Sequence, residues 1–382
     1  MRIGIEAQRI FRRDKHGMDF VILEVLRELQ VIDLTNEYFV FVAPGEDVCL
    51  ESTERMHVIT LRCPTYPLWE QWALPRAARR YKVDLLHCTS NTAPLFHAMP
   101  LVLTLHDIIF LEPRQHSSKS WYQEMGWHYR RLVVPRILPH CQRIITVSQF
   151  ERERIVRALN LPAGKVTAIH NGYNTHFRPL QKRDSATLRR YIPTDDFLFF
   201  LGNTDPKKNA ERVLQAYALY LKESVVKRPL LIADLKEGYI DDLLQRSGIT
   251  HIKSHLWFPG YIANTDRVTI YNACFAFLYP SLRESFGIPL LEAMACGTPV
   301  ITSNLSALPE IAGKDAILVD PYRPEEIAAK LLLLETDRQF YRTQQDYGLK
   351  RVSHFTWRRT AEQYLELYRQ MLPPSADTDD SK

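Results

Sequence analysis

Long apolar runs and closely spaced cysteine pairs are missing from this chain of 382 residues, and its first residues predict no leader segment. No run of about 18 apolar residues is present, so the sequence predicts no transmembrane helix. The six cysteines form no C-x-x-C pair, which argues against a zinc site or a disulfide framework. Reduced thiols, and an N-terminus that opens directly as a strand at Arg2–Ile5, predict a cytoplasmic protein.

Two further kinds of sequence motif, for dinucleotides and for nucleic acids, are missing as well. The chain has no G-x-G-x-x-G fingerprint, which weakens an interpretation as a nicotinamide or flavin dehydrogenase. It has no recognised nucleic-acid-binding motif, so we expect no nucleic acid as a partner. The hydrophobic share of 46% and the charged share of 24% are ordinary for a globular protein, and the length favours two domains.

The net charge of +5 is unevenly placed along the chain. Residues 1–180 hold 23 Lys and Arg against 18 Asp and Glu, whereas the remainder holds 26 against 26. Two interpretations stay open: a basic face that contacts an anionic membrane at its inner surface, and an ordinary solvated surface. The candidate residues of such a basic face are clustered cations and the tryptophans near them in sequence: Arg12, Arg13, Lys15, Arg76, Arg79, Arg80, Lys82, Arg130, Arg131, Trp69, Trp72, Trp121 and Trp127.

Short apolar runs alternate with helix-like segments in both halves of the chain. This alternation predicts an α/β protein with two Rossmann-like, doubly wound parallel sheets. We expect the first domain at 1–180 and the second at 190–355, joined by a polar linker near 178–192. The predicted strands lie in the runs MRIGIEA, YFVFVAP, VDLLHCT, PLVLTLHD, RIITVS and VTAIHNG, then FLFFLGN, PLLIAD, HLWFPG, CFAFLYP, PVITS and AILVD.

The segment PSLRESFGIPLLEAMACGTPVITS carries two glutamates, Glu284 and Glu292, eight positions apart. Gly287 allows a tight turn, and Pro289 is suited to the first turn of a helix. Glu284 is therefore predicted on a loop, and Glu292 about one turn inside the helix. The free amides at a helix start bind anions, so two carboxylates would flank a charged centre. A diphosphate with a sugar at one end and a ribose at the other fits that layout.

Polar residues also follow several predicted strands at their carboxyl ends, where doubly wound sheets bind ligands. If the two domains face each other, these strand ends are expected to lie across one cleft. The candidates are His106 with Asp107, Ser148, Asn171 with Gly172, Asn203 and Lys208.

Taken in order, these motifs resemble the retaining glycosyltransferases of family 4, which have the GT-B fold of two Rossmann-like domains facing across a cleft. The resemblance covers nearly the whole chain, and the bacterial mannosyltransferase-like enzymes of surface polysaccharide synthesis look most similar. It is carried by LTLHDIIFLEP, RIITVSQFERERIV, KVTAIHNGYNTHFRPL, FLGNTDPKKN, WFPGYI and SLRESFGIPLLEAMACGTPVITSN.

The resemblance implies roles in the second domain, which would bind the nucleotide sugar. Glu284 would contact the donor sugar ring, and Glu292 would bind the ribose hydroxyls. Lys208 would neutralise the diphosphate, with Lys207 as a second cation. The backbone amides near Phe286, Gly287 and Ile288 would hold phosphate oxygens.

The resemblance also implies roles in the first domain, on the acceptor side. His106 would sit beside the donor sugar near its anomeric carbon, and Gly17 would give donor and acceptor close access to the backbone. The C-terminal helix, at 357–373, would pack back on this domain, and 374–382 would be a disordered tail.

Three positions depart from the family pattern. The cations after Gly202 are lysines, where many relatives carry an arginine that grips phosphate through two parallel hydrogen bonds. Tyr173-Asn174 replaces a Val-Asp pair and so loses a carboxylate. The loop after Gly17 differs from its relatives as well, which leaves the acceptor open.

The activity expected from the resemblance is transfer of a hexose, with GDP-mannose favoured, to a glycan or lipid-linked glycan. No metal or other cofactor is expected, because Lys208 and a helix start can stabilise the leaving phosphate. The D-x-D at Asp377–Asp379 lies in the predicted tail and is interpreted as a coincidence. Two alternatives stay open: a non-catalytic GT-B protein that binds nucleotide sugar or acts as a scaffold and, with less support, a nucleotide-sugar epimerase.

Overall fold

The computed structural model describes residues 1–15, 17–112, 121–182 and 184–371, which form two compact units. The first unit contains residues 1–172 and the segment that begins at Trp357, and the second runs from Tyr173 to Thr356. The linker predicted at 178–192 therefore falls inside the second unit. A short helix lies there because Asp184 accepts a hydrogen bond from the Thr187 amide at 3.1 Å and Leu188 is buried.

A parallel sheet of seven strands forms the centre of the described part of the first unit, in the order β3-β2-β1-β4-β5-β6-β7. Its strands are β1 (Arg2–Glu6), β2 (Glu37–Val42), β3 (Met56–Thr60), β4 (Leu85–Cys88), β5 (Leu101–Thr104), β6 (Arg143–Thr146) and β7 (Val166–Ala168). Its first helices are α1 (Gly17–Ile32), α2 (Tyr66–Leu68), α3 (Leu74–Arg80), α4 (Trp121–Ile137) and α5 (Gln149–Leu159), with a π-helix at Trp69–Ala73.

The second unit is built on a parallel sheet whose six strands, within the described residues, run in the order β10-β9-β8-β11-β12-β13. They are β8 (Leu198–Leu201), β9 (Leu230–Ala233), β10 (Leu256–Gly260), β11 (Ala276–Tyr279), β12 (Val300–Ser303) and β13 (Ile317–Val319). Its helices are α6 (Ser185–Arg189), α7 (Ala210–Glu223), α8 (Glu237–Arg246), α9 (Arg267–Ala273), α10 (Ile288–Ala295), α11 (Leu308–Ala312), α12 (Pro324–Thr336) and α13 (Arg338–Val352).

The predicted α/β class with two Rossmann-like parallel sheets is confirmed. The central strands of both sheets are buried, since helices cover the two faces, and this explains why most strands read as continuous apolar runs rather than alternating ones. No helix in the described part of the chain combines the length and the apolar character that a membrane span requires.

The last helix, α14 (Trp357–Arg369), belongs to the first unit, where it packs against α1. Tyr368 reaches the sheet, and its hydroxyl lies 2.6 Å from Nδ1 of His87 on β4. Residues 372–373 of the predicted helix, the tail at 374–382 and the D-x-D lie outside the described residues. The buried side chains of α14 are Trp357, Thr360, Ala361, Tyr364, Leu365, Leu367 and Tyr368.

Candidate active site

The loop after β11 turns sharply into α10. Gly287 has a φ of +107°, a value that side-chain-bearing residues rarely adopt, and a Cβ there would lie 3.0 Å from Leu308. Pro289 follows in the first turn of α10. Phe286 is buried with its ring 6.0 Å from the ring of Phe355, which anchors the turn. The first amides of a helix have no acceptor within it, so the start of α10 can bind an anion.

Lys208 and Glu284 form an ion pair beside this helix start. The Lys208 amine lies 2.6 Å from Oε1 of Glu284 and 3.4 Å from the Tyr279 hydroxyl. Tyr279 also hydrogen-bonds to Glu284, and the buried hydroxyl has a pKa well above its ordinary value, mainly through desolvation. Because the ammonium group carries three donors, this arrangement leaves Lys208 with capacity for a further acceptor.

The turn that carries Lys208 is fixed by backbone contacts. The Lys207 carbonyl accepts from the Leu282 amide at 2.7 Å, which ties the turn at 206–208 to the loop of Glu284. Asn209, with a φ of +64°, donates through Nδ2 to the carbonyls of Pro280 and Pro321. Asn203 Oδ1 accepts from the backbone amide of Asp205 at 2.9 Å, so it shapes the same turn.

The Lys207 amine lies away from this pair, 3.3 Å from Asp205 of its own turn. Lys207 and Lys208 therefore differ in environment although they are adjacent in sequence, and Lys208 is the one that meets Glu284.

Glu292 lies on α10, one helical turn after its start, and only 6% of the residue is exposed. Oε2 lies 3.3 Å from Nη1 of Arg267 and 3.4 Å from the hydroxyl of Tyr271, both on α9. Burial raises the pKa of Glu292, and the charge of Arg267 opposes that shift. The carboxylate expected to face ribose therefore has a cationic neighbour that the sequence analysis did not name.

His106 lies just after β5 in the first unit and is 7% exposed. Its amide donates to Oδ1 of Asn91 at 2.6 Å, and its Nε2 lies 3.0 Å from the carbonyl of Thr89. Because a carbonyl only accepts, Nε2 carries the proton and Nδ1 is left as an acceptor. Burial lowers the pKa of His106, which favours the neutral ring.

The other first-unit candidates occupy ordinary structural positions. Gly17 is the exposed first residue of α1, and a Cβ added there would meet no atom within 4 Å. Ser148 is buried and caps α5, since its Oγ accepts from the Glu151 amide at 3.2 Å. Asn171 and Gly172 are buried after β7 at the end of the unit. These positions leave their proposed ligand roles as predictions.

The candidates are thus divided between the two units, and in the second unit Lys208 contacts Glu284 directly. Arg267, Tyr271 and Tyr279 are neighbours of the second-unit candidates that the sequence analysis missed. The sequences RESFG and LEAM around the two glutamates predict α10. No local pattern predicts that Arg267 pairs with Glu292, which lies 25 positions later. Among the described residues, no set of three or more His, Cys, Asp or Glu side chains is arranged to hold a metal ion.

The basic face of the first unit is smaller than the sequence predicts. Trp69 is 1% exposed and belongs to the core, and the Lys15 side chain is 4% exposed and paired with Asp47. Around α3, in contrast, the guanidinium of Arg76 lies 5.2 Å from the ring of Trp72, which is 59% exposed. The side chains of Arg76, Arg79, Arg80 and Lys82 are exposed.

Comparison with known proteins fits this architecture. With one doubly wound parallel sheet in each unit, the chain has the fold of the GT-B glycosyltransferases. The family model "Glycosyltransferase Family 4" matches residues 17–177, and "Glycosyl transferases group 1" matches residues 189–370. The chain belongs to glycosyltransferase family 4.

Two curated relatives come from Escherichia coli. O-antigen chain mannosyltransferase B is 30% identical over 311 residues, which cover 80% of this chain and 78% of that protein. The serotype-specific mannosyltransferase WbdA is 28% identical over 243 residues, or 62% of this chain and only 30% of that longer protein. A structure of Anabaena HepE in complex with UDP-glucose has a TM-score of 0.73 at 18% identity, covering 97% of this chain and all of that one.

Proposed function

We propose that the chain is a retaining glycosyltransferase that moves a hexose from a nucleoside-diphosphate sugar to a glycan or lipid-linked glycan in cell-surface polysaccharide synthesis. The observation that carries the proposal is the Lys208–Glu284 pair at the start of α10, with Glu292 one turn further along. A cation and a helix start match a diphosphate, and the two carboxylates match the hydroxyl-rich rings on either side of it. The names of the mannosyltransferase relatives favour GDP-mannose as the donor.

Sugar transfer places negative charge on the leaving phosphate. Lys208 and the amides at the start of α10 would stabilise that charge without reorganising, because the turn at 206–208 and the loop at 280–287 are held by backbone hydrogen bonds. Glu284 accepts a hydrogen bond from the Lys208 ammonium group and so orients it. Metal is therefore not required in the mechanism we propose.

Retention of the anomeric configuration would follow from a front-face route, in which the leaving phosphate accepts the proton of the incoming hydroxyl. His106 suits a positioning role in this route, because it is buried and its Nε2 donates to the Thr89 carbonyl, which leaves Nδ1 as an acceptor. It would accept a hydrogen bond from a hydroxyl of the sugar and orient the ring. It would not attack the anomeric carbon.

A donor screen tests the proposal. Thermal unfolding of the full chain is followed with GDP-mannose, UDP-glucose, UDP-GlcNAc and dTDP-rhamnose. A ligand at about 100 times its dissociation constant should stabilise the fold by about 2.7 kcal/mol. Stabilisation by none of the four would argue against a nucleotide-sugar enzyme, whereas binding without turnover would favour the non-catalytic alternative.

Replacing Glu292 by alanine should weaken binding of the free nucleotide as strongly as binding of the intact donor, since the proposed contact is to ribose. Loss of charge-assisted hydrogen bonds should cost about 1.5–3 kcal/mol in calorimetric titrations with GDP. Glu325→Ala, which removes an exposed carboxylate at the start of α12, is the matched control and should change nothing. Unchanged affinity in the Glu292 variant would remove the ribose assignment.

The exposed cations around α3 support reversible contact with anionic lipid. Each cation near such a surface contributes roughly 1 kcal/mol, and salt screens the attraction. Sedimentation with anionic liposomes should therefore show binding that fades as salt rises. In the test variant, four of these cations are replaced by serine: Arg76, Arg79, Arg80 and Lys82.

This variant should stay in the supernatant and keep its donor hydrolysis in solution. A control with the same loss of charge on the second unit should still sediment with the liposomes. The control replaces the exposed residues Lys222, Lys227, Arg338 and Arg342 by serine. Equal recovery with neutral and anionic liposomes at low salt would leave only a solvated basic surface.

A further inference from the structure

Arg267 is the first residue of α9, and its side chain is 16% exposed. Nη1 lies 3.3 Å from Oε2 of Glu292, and Nη2 donates to Oδ1 of Asn264 at 2.5 Å. Nε is buried and has no hydrogen-bond partner within the described residues. The guanidinium group is thus held by two neighbours, one of which is the carboxylate proposed to bind ribose.

The contacts to Glu292 fall on one oxygen. Tyr271, one helical turn after Arg267, also approaches Oε2, at 3.4 Å. Within the part of the chain that the structure describes, no hydrogen bond or ion pair reaches Oε1. Helix α9 therefore engages one side of the carboxylate and leaves the other oxygen for a ligand, which is the arrangement that an acceptor of ribose hydroxyls requires.

The charges around the pair are few. Glu292 faces Arg267 and Tyr271 from α9, Tyr279 from β11 and Cys296 just after the end of α10, and burial raises the pKa of all three neutral groups. Arg267 also faces Asp234, after β9, Tyr261, after β10, and His176, whose pKa is lowered by burial and by the charge of Arg267. Arg267 is therefore the cation that opposes the effect of burial on Glu292, which would otherwise favour the protonated acid.

We propose that Arg267 is a positioning residue of the donor site, which keeps Glu292 ionised and fixes Oε2 so that Oε1 is presented to the ribose hydroxyls. The inference rests on the proposed function of Glu292. This role differs from that of a simple structural ion pair. In the proposed role, the effect of Arg267 on nucleotide binding depends on the charge of Glu292 and on the ribose hydroxyls.

The test compares Arg267→Met with the wild-type chain in calorimetric titrations of GDP from about pH 6 to about pH 9. A carboxylate is ionised above its pKa, and removal of the neighbouring cation raises that pKa. The variant should therefore bind GDP roughly 10- to 100-fold more weakly than the wild type near pH 7, and this ratio of the two affinities, from which the titration of GDP itself cancels, should shrink as the pH rises. Arg267→Lys keeps the charge, and its ratio to the wild type should not change with pH.

Two matched measurements separate positioning from folding. 2′,3′-Dideoxy-GDP lacks both ribose hydroxyls, so its affinity should be almost the same for the wild type and for Arg267→Met. In an Arg267→Met/Glu292→Gln chain, the dependence of this affinity ratio on pH should disappear. If the methionine variant does not fold, Arg267→Gln takes its place and must show the same recovery at high pH.

The idea is overturned if Arg267→Met weakens GDP and its dideoxy analogue equally at every pH, or leaves both unchanged. Either result, with Glu292→Ala still impaired for GDP, rejects only the role of Arg267. If Glu292→Ala binds GDP normally, the ribose assignment itself fails, and the two failures can be told apart.

Discussion

Replacing Lys208 by alanine should reduce donor turnover about 100- to 1000-fold, the usual cost of removing one fixed electrostatic contact to a developing negative charge. The loss should appear mainly in kcat, because the charge on the leaving phosphate grows as the bond to the sugar breaks. The variant also leaves Glu284 without its partner at 2.6 Å, so binding of the donor should weaken as well. Steady-state release of nucleoside diphosphate measures both effects.

Lys208→Arg, which keeps the charge, should retain part of the activity, and Lys222→Ala on the exposed face of α7 should retain all of it. Wild-type turnover should also survive EDTA, because the positive charge at the phosphate comes from Lys208 and the start of α10. Complete loss of activity with EDTA, followed by rescue with Mg²⁺ or Mn²⁺, would show that a metal ion performs this task.

Deletion of residues 356–382 should yield a poorly soluble, inactive protein. Helix α14 buries Trp357, Tyr364, Leu365, Leu367 and Tyr368 in the first unit, and a fully buried large apolar side chain stabilises a fold by about 1.5–3 kcal/mol. The sum is comparable with the whole stability of a domain, about 5–15 kcal/mol. The deletion would also expose the apolar surface that α14 covers. Soluble yield and thermal unfolding measure the effect.

Removal of residues 374–382 alone should change neither stability nor activity, which makes it the matched control for the longer deletion. A point variant gives a finer measure: Tyr368→Ala should destabilise the chain far more than Arg369→Ala, because Tyr368 is buried against His87. A fully active, soluble protein after the longer deletion would refute the assignment of α14 to the first unit.

Apolar runs were sufficient to predict most of the two sheets. They fail at β3, because Met56–Thr60 is partly exposed and contains a histidine, so it lacks the continuous apolar character of the other strands. They also do not predict the π-helix at Trp69–Ala73. Trp69 illustrates the limit, since its sequence neighbourhood suggests an exposed aromatic residue and its indole in fact donates to the Leu61 carbonyl.

The start of α10 was predictable because its signals are local. Gly287, Pro289 and the spacing of the two glutamates lie within one short segment, and the helix begins at Ile288. The partners of those glutamates are not local: Lys208 lies 76 positions from Glu284. The resemblance to family 4 named Lys208 but assigned it only to phosphate, and the ion pair with Glu284 becomes visible only in the folded second unit.

The most direct measurement is ³¹P NMR of the nucleotide sugar that the thermal screen selects, incubated with the full chain and an extract of lipid-linked glycans. If the chain is a nucleotide-sugar-dependent transferase acting through Lys208, the wild type converts the donor to free nucleoside diphosphate, and Lys208→Ala is nearly inactive. If the donor binds but remains intact with the wild type, or if both proteins consume it at equal rates, this catalytic function is contradicted.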